Sequence, residues 1–193
     1  MNPILWSDIE SSGLDPKKHA IIQLAAAIEI DGEIVDTCNI LMSPESRLID
    51  AKALQVNGRT VEELATFQSQ KQGWVEFRNF LAKHGEQGNK AKRYVPAGYN
   101  NRFDLEFIQQ WHEDQSAGPY AFWDYLQHNP IDPFGAVVSL WRLGKLDIPD
   151  CKLGTVCGYF GIEMTKAHDA MSDLLATREL SKRVYGMFNR VAA

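Results

Sequence analysis

The sequence predicts an α/β fold: a mixed sheet, opened by a three-stranded antiparallel meander and continued by parallel strands, with helices on both faces. Three observations predict it. Two β-rich stretches, residues 21–30 and 33–42, flank the dipeptide Asp31-Gly32, a strong two-residue hairpin signal. Helix-period segments and a short apolar strand then alternate over the rest of the chain. The opening three-stranded meander separates this chain from doubly wound nucleotide-binding folds, and no GxGxxG or Walker A loop appears.

The elements follow in order. Residues 4–9 are short and apolar and make the first strand. Residues 21–30 are strongly apolar, and 33–42 alternate in part, as the second and third strands of a meander do. Thr60-Val61-Glu62-Glu63 has the form of a capping box. Trp74, Phe77, Phe80 and Leu81 share one face of a helix. Residues 85–92 are polar and contain glycine, so they read as a loop. Residues 94–97 form a short buried strand that opens onto a helix over 103–113. The stretch 116–133, rich in proline and aromatics, takes no assignment. Helices follow at 134–143 and 153–160. A last one runs from 169 to about 189, with Leu174, Leu175, Leu180 and Val184 as core positions.

A length of 193 residues suits one compact domain, 1–193, without internal repeats or low-complexity tracts. Apolar residues make up 45% and charged residues 23%, an ordinary globular composition with ample core material. The net charge of −5 argues against passive coating of nucleic acid, whose binders gain affinity by neutralising phosphates. It does not argue against an acidic pocket that recruits divalent cations, because the bound ions then supply local positive charge. Cys38, Cys151 and Cys157 are odd in number and lack a CxxC pair, so they read as free thiols in a reducing compartment. The N-terminus has neither a basic nor a long apolar leader region, and no stretch is apolar enough to span a bilayer. Cytoplasmic placement and no membrane partner are the expectations.

The chemistry gathers in three segments. In Asp8-Ile9-Glu10 the strand period puts both carboxylates on one face, where without a cation each raises the other's pKa. Asp104 follows the strand at 94–97, and His168 precedes Asp173 by five residues at the start of the last helix. Each segment alone has a plainer reading. Asp8 and Glu10 could be a solvated strand end, Asp104 a complement to a helix dipole, and Asp169 a cap beside a surface Asp173. Together they match what phosphodiester hydrolysis requires. Two divalent ions stabilise the nucleophile, the leaving alkoxide and the phosphoryl charge; oxygen ligands suit Mg²⁺ or Mn²⁺; a neutral His168 can take a proton from the attacking water.

The stretch Ser7-Asp8-Ile9-Glu10-Ser11-Ser12-Gly13-Leu14-Asp15-Pro16 resembles the first motif of the DEDDh exonucleases, the DnaQ-like group that includes polymerase proofreading subunits. Residues 98–104 resemble their second motif, and His168 to Asp173 has the H-x4-D spacing of the third. Residues 53–60 are similar to a family segment near the substrate terminus. The resemblance spans residues 4 to 180, and the order and spacing of the motifs make the set specific. It implies a ribonuclease H-like fold, two Mg²⁺ or Mn²⁺ ions on Asp8, Glu10, Asp104 and Asp173, and His168 as general base. It further implies a 3'-5' exonuclease acting on DNA 3' ends, single-stranded or frayed, and releasing nucleoside 5'-monophosphates. Ser11, Ser12, Asn57, Tyr99 and Phe103 would meet the substrate.

The chain departs from the family in three places. Ser11-Ser12 stands where two threonines are usual, Tyr99 where histidine is frequent, and Arg102 adds a cation beside the acids. These bear on substrate preference more than on activity.

Among Trp111, Tyr120, Phe122, Trp123, Tyr125 and Phe134, one or two could stack unpaired bases, while most read as core. Lys90, Lys92 and Arg93 read as a solvated loop rather than a phosphate contact. His19, His84, His112 and His128 lack ligand spacing and take no role. An exoribonuclease on the same scaffold is the alternative function, and a catalytically silent nucleic-acid-binding adaptor a lesser one. The segment Asn57-Gly58-Arg59-Thr60 leans toward the proofreading branch, hence toward DNA and a polymerase or replication partner. No polymerase-binding tail is visible before Ala193, which favours a free-standing enzyme or a subunit held through its globular surface.

Overall fold

The computed structural model describes residues 2–115, 122–165 and 168–189. Its sheet has the order β3-β2-β1-β4, formed by β1 (Ile4–Ser11), β2 (Ile21–Ile30), β3 (Glu33–Leu41) and β4 (Val95–Ala97). The meander is as expected: β1 pairs antiparallel with β2 and β2 with β3, Ile30 facing Glu33 across the turn. Asp31 and Gly32 both take positive φ, 52° and 86°, the backbone a two-residue hairpin turn demands. Only β4 runs parallel to β1, from Ile4–Val95 to Trp6–Ala97. Beyond it the expected further parallel strands reduce to single bridges, Tyr94 to Leu126 and Ala97 to Ile131.

The helices are α1 (Ala51–Asn57), α2 (Val61–Leu64), α3 (Gln70–His84), α4 (Arg102–Gln115), α5 (Pro133–Arg142), α6 (Leu153–Tyr159) and α7 (Ala170–Asn189). They cover both sheet faces. Leu5, Ile9, Leu24, Ala26 and Ile28 join Phe77, Leu81, Phe107 and Ile108 of α3 and α4 in one core cluster. Trp6, Ala25 and Ala27, at the alternate positions, pack with Ala170 and Leu174 of α7 in another. A third cluster joins α5, α6 and α7 through Val137, Leu140, Val156 and Leu180.

Several elements differ from expectation in instructive ways. Thr60 caps α2 by accepting from Glu63 N–H, but the side chain of Glu63 pairs with Arg59 instead of returning to the cap. The full capping box is at α3, where Ser69 and Gln72 exchange both bonds. Helix α1 was not expected. It buries no residue and rests on its ends, with Asp50 capping Lys52 N–H and Gly58 turning out of it at φ 64°. The loop at 85–92 includes a 3₁₀ turn, Lys90–Lys92. Leu174, Leu180 and Val184 are buried as expected, whereas Leu175 is 44% exposed. One residue on from Leu174, about 100° around the helix, it faces away from the sheet.

Candidate active site

The alternation of β1 builds the site. Trp6 faces α7, so Asp8 and Glu10, at the same parity, face it too, while Ile9 enters the opposite core. Strand β4 stops at Ala97, opposite Trp6, and leaves the later edge of β1 without a partner strand. There the carboxylate of Asp104, buried in the first turn of α4, accepts from Ile9 N–H at 3.0 Å. A ladder bond is thereby replaced by a side chain, and Asp104 is fixed beside Asp8.

The turn that delivers Asp104 is itself held. Asp132 accepts from Asn100 N–H at 3.0 Å and Asn101 N–H at 3.2 Å, and it also caps α5 through Phe134 N–H. A Cβ on Gly98 would stand 2.9 Å from Ser7 O, so only glycine fits where this turn crosses β1. The role of Asp132 went unread in the sequence, although Asp132-Pro133 carries the signature of a cap followed by proline at the first helical position.

On the far side, Asp169 caps α7 by accepting from Ser172 N–H and also accepts from Gln23 Nε2 at 3.2 Å. Gln23 lies opposite Glu10 in the β1–β2 register, so this bond ties the start of α7 across the strand pair. His168, just before the cap, takes a left-handed backbone (φ 60°), a strained state for histidine of the kind found at functional sites. The result is convergence: a donor atom from each of Glu10, His168 and Asp173 lies within 4.8 Å of the others.

The electrostatics of these acids are those of a cation site. Burial pushes Asp8 well above the usual carboxylate range, and Asp104, Asp173, Glu10 and Asp169 push it further. Burial, then Asp173 and Asp169, raises Glu10 to about 7, with Arg59 opposing. Burial raises Asp104 to about 8 against its backbone hydrogen bonds, and it raises Asp173 against the nearby His168. No lysine or arginine among the described residues forms a salt bridge with any of the four. Asp173 Oδ1 is buried without a hydrogen-bond partner among those residues. Crowded carboxylates with an orphaned oxygen and no lysine or arginine salt bridge among the described residues fit divalent cations.

The structure brings the five motif residues together; the substrate candidates are arranged around them. Ser12 is fully buried; its hydroxyl donates to Leu48 O and accepts from Ala20 N–H, while its own N–H donates to Ala20 O and its C=O accepts from Asp50 N–H, so each of its polar groups already has a partner in the protein. Ser11 Oγ donates to Gly13 O at 2.6 Å, and Asn57 Nδ2 donates to Ser11 O at 2.9 Å. Phe103 is half-buried against Phe107. Tyr99 donates from its hydroxyl to Cys151 O and, with Phe134, lines a cavity of about 660 Å³ that reaches His168 and Asp173. Arg102 pairs with Glu106.

The aromatic stretch is mostly core. Trp111, Phe122 and Tyr125 are buried, Trp123 is half-buried, and Phe134 alone of the described members lines the cavity beside the acids; Tyr120 lies outside the described residues. Lys92 and Arg93 pair with Glu86 and Asp124, in keeping with a solvated loop.

A model of the exonuclease family, of the RNase T type, matches residues 5–180. The chain belongs to this exonuclease family. Enzymes of this kind use divalent metal ions, for which the acidic group is a possible holder. Among curated relatives, the exonuclease is 26% identical to the DNA polymerase III PolC-type of Thermotoga petrophila over 184 residues, 95% of this chain and 12% of the polymerase. The Bacillus subtilis PolC-type polymerase is 26% identical over 176 residues, 90% of this chain and 11% of the polymerase. Among solved structures, E. coli exonuclease I in complex with a dT13 oligonucleotide superposes with a TM-score of 0.82 at 21% identity, over 99% of this chain and 42% of that one. A zinc-bound complex of E. coli exonuclease I with single-stranded DNA gives 0.81 at 22% identity, over 98% and 42%. These likenesses are of fold, the ribonuclease H-like mixed sheet. The exonuclease spans a minor part of each of these proteins. None of its described helices is long and apolar enough to cross a membrane.

Proposed function

We propose that this exonuclease degrades DNA from the 3' end, on single-stranded or frayed termini, releasing nucleoside 5'-monophosphates. The observation that carries the reading is the convergence within 4.8 Å of Glu10 on β1 with His168 and Asp173 at the start of α7, beside Asp8 and the anchored Asp104. Asp8, Glu10, Asp104 and Asp173 would hold two Mg²⁺ or Mn²⁺ ions, which when bound polarise the attacking water, neutralise phosphoryl charge and stabilise the leaving alkoxide. The rest falls to the chain itself. His168, exposed at the entrance, accepts the proton of the attacking water, and the nearby Asp173 carboxylate stabilises the imidazolium so formed. Asp104 keeps its orientation through Ile9 N–H. Ser11, Ser12, Asn57, Phe103 and Tyr99 would position the terminal nucleotide, Ser12 by holding the shape of the turn after β1 through its bonds to Ala20, Leu48 and Asp50.

DNA is favoured over RNA because the matched relatives are DNA polymerases and exonuclease I was crystallised with oligodeoxynucleotides. A polymerase or other replication partner is the context those polymerases suggest. A single domain over 1–193 in the reducing cytoplasm suits the three free thiols, with Cys38 and Cys157 pushed up to about 12 and about 11 by burial. The test is hydrolysis of 5'-labelled single-stranded DNA and matching RNA, in Mn²⁺ or EDTA, by wild type and His168→Ala. The expected result is a metal-dependent ladder shortening from the 3' end, faster on DNA and largely lost in the variant. Faster RNA cleavage would move the exoribonuclease forward, and cleavage of neither would replace the enzyme by a binding adaptor.

A further inference from the structure

We propose that Gln23 is a positioning residue of the reaction: its side-chain amide fixes the segment carrying His168 and Asp173 against Glu10, acting through Asp169. The proposal rests on the exonuclease reading above and adds to it a residue of the second strand that none of the three motifs contains.

Gln23 is the partner of Glu10 across the β1–β2 pair, so both side chains lie on the face turned toward α7. Regular pairing ends there. Ser11 pairs with Ile21, which leaves Ile22 as an extra residue in β2, a bulge of the kind that re-aims side chains beside functional sites. Gln23 is 1% exposed. Its Nε2 donates to Asn39 Oδ1 at 3.0 Å and to Asp169 Oδ2 at 3.2 Å, which uses both of its hydrogens. Its Oε1 is buried without a partner among the described residues. An unpaired buried acceptor is costly, so the amide is kept for what its nitrogen does.

That nitrogen anchors a cap. Asp169 Oδ1 accepts from Ser172 N–H, and Asp169 O accepts from Asp173 N–H at 3.0 Å. Asp169 thus shapes the first turn of α7 with its carbonyl and one carboxylate oxygen, while Gln23 holds the other. His168 is joined directly to this cap, and its left-handed backbone (φ 60°) persists only where the surroundings hold it. Ala170 and Leu174 pack on the sheet, but apolar contacts are non-directional and do not orient a residue ahead of the helix. A hydrogen bond does. The charge of the donor also fits. A lysine at this position would set a cation beside the metal ligands, and a glutamate would add a carboxylate to a crowded cluster. A neutral amide ties Asp169 down and leaves the net charge at the acids as it is.

The test exchanges donor and acceptor. Gln23→Leu removes the donor, and Gln23→Glu removes it while keeping the shape. Gln23→Glu combined with Asp169→Asn restores a bond in the opposite sense, with the number of carboxylates equal to wild type and an asparagine still able to cap α7. Each protein is assayed on 5'-labelled oligo-dT in Mn²⁺, and its binding of the same strand in EDTA is followed by fluorescence anisotropy. Both single variants are expected to lower kcat about 10²-fold, the usual cost of a misplacement of about 1 Å, with KM and Kd within about twofold of wild type. The double variant is expected to recover kcat to within about fivefold of wild type. Gln23→Leu, which buries no charge, serves if the glutamate variant does not fold. A second readout needs no turnover. Mn²⁺ at the acid centre broadens the NMR signals of the His168 ring, which are identified by their absence in His168→Ala. The broadening should weaken in the single variants and return in the double one. Unchanged kcat and broadening in Gln23→Leu would overturn the proposal, as would a double variant no better than Gln23→Glu, or a fall in melting temperature with kcat of the folded enzyme intact. Absence of turnover by wild type would count against the exonuclease reading, while the broadening would still decide whether Gln23 places His168.

Discussion

At one end of the interface between α7 and the sheet, a carboxylate is buried with every partner it needs. Glu29 is 8% exposed, yet it accepts from Trp6 Nε1 at 2.9 Å and from Arg178 Nε at 2.6 Å, and Arg178 also bonds Gly32 O at the hairpin tip. Five residues back along the same helix, Asp173 faces Asp8 and Glu10 with an oxygen that has no partner, and no arginine or lysine salt bridge, among the described residues. The strands, the helix and the residue type are shared; the treatment is opposite. Burying a charge is costly unless it is paired, so the first cluster is a structural device. The second has no such partner among the described residues, which is the arrangement expected of a site for ions from solution.

The sharpest way to break this comparison is at its unpaired end. His168→Ala should lower kcat by about 10²- to 10⁴-fold, the usual size of a general-base contribution, with folding intact by circular dichroism. A loss below tenfold would move proton transfer to another group. At the paired end the signs reverse. Arg178→Ala leaves Glu29 buried and unpaired and should cost about 3–5 kcal/mol in a denaturant titration, with kcat of the folded enzyme little changed. A cost under about 1 kcal/mol, no more than a surface ion pair, would mean that water replaces the guanidinium.

Protonation separates the two ends again. Glu10 at about 7 and Asp104 at about 8 hold their protons more tightly folded than unfolded. The metal-free fold therefore loses stability as pH rises from about 4 through 8, since the unfolded chain ionises first. Thermal melts in EDTA should show a midpoint that falls between pH 5 and pH 8, and Mn²⁺ should restore it at pH 8. A midpoint flat with pH and indifferent to metal would remove the cation site. The smallest effect tests a third solution to burial, a neutral group. His112 is 1% exposed, packed against Trp74 and Phe122, and burial pushes it down to about 4. Its neutral form stabilises the fold fully above about 6.5, and that contribution is lost as pH falls toward 4. His112→Phe should flatten the acid side of the stability curve between pH 6.5 and 4. An unchanged curve would show that His112 does not titrate there.

What was legible in the sequence was whatever depends on short-range pattern. Asp31-Gly32 announces a hairpin because few residues accept its backbone, and Asp8 and Glu10 share a face because a strand has period two. Leu175 was misplaced because two adjacent leucines on a helix cannot both face one sheet, and composition does not say which will. Helix α1 was missed because it has no buried face to leave a periodic trace, although both of its caps were written in Asp50 and Gly58. The family motifs located the acids, yet the Asp132 bracket around the Asp104 turn and the Gln23–Asp169 tie depend on residues brought together from distant parts of the chain. Those contacts exist only in three dimensions.

The acids come from the first strand, the helix after the fourth strand and the last helix. A ribosome therefore releases the components of this centre in three instalments. Until α7 has emerged, β1 displays its carboxylates with no histidine and no fourth acid beside them. The nascent polypeptide thus carries no complete acid centre until the start of its last described helix has been made.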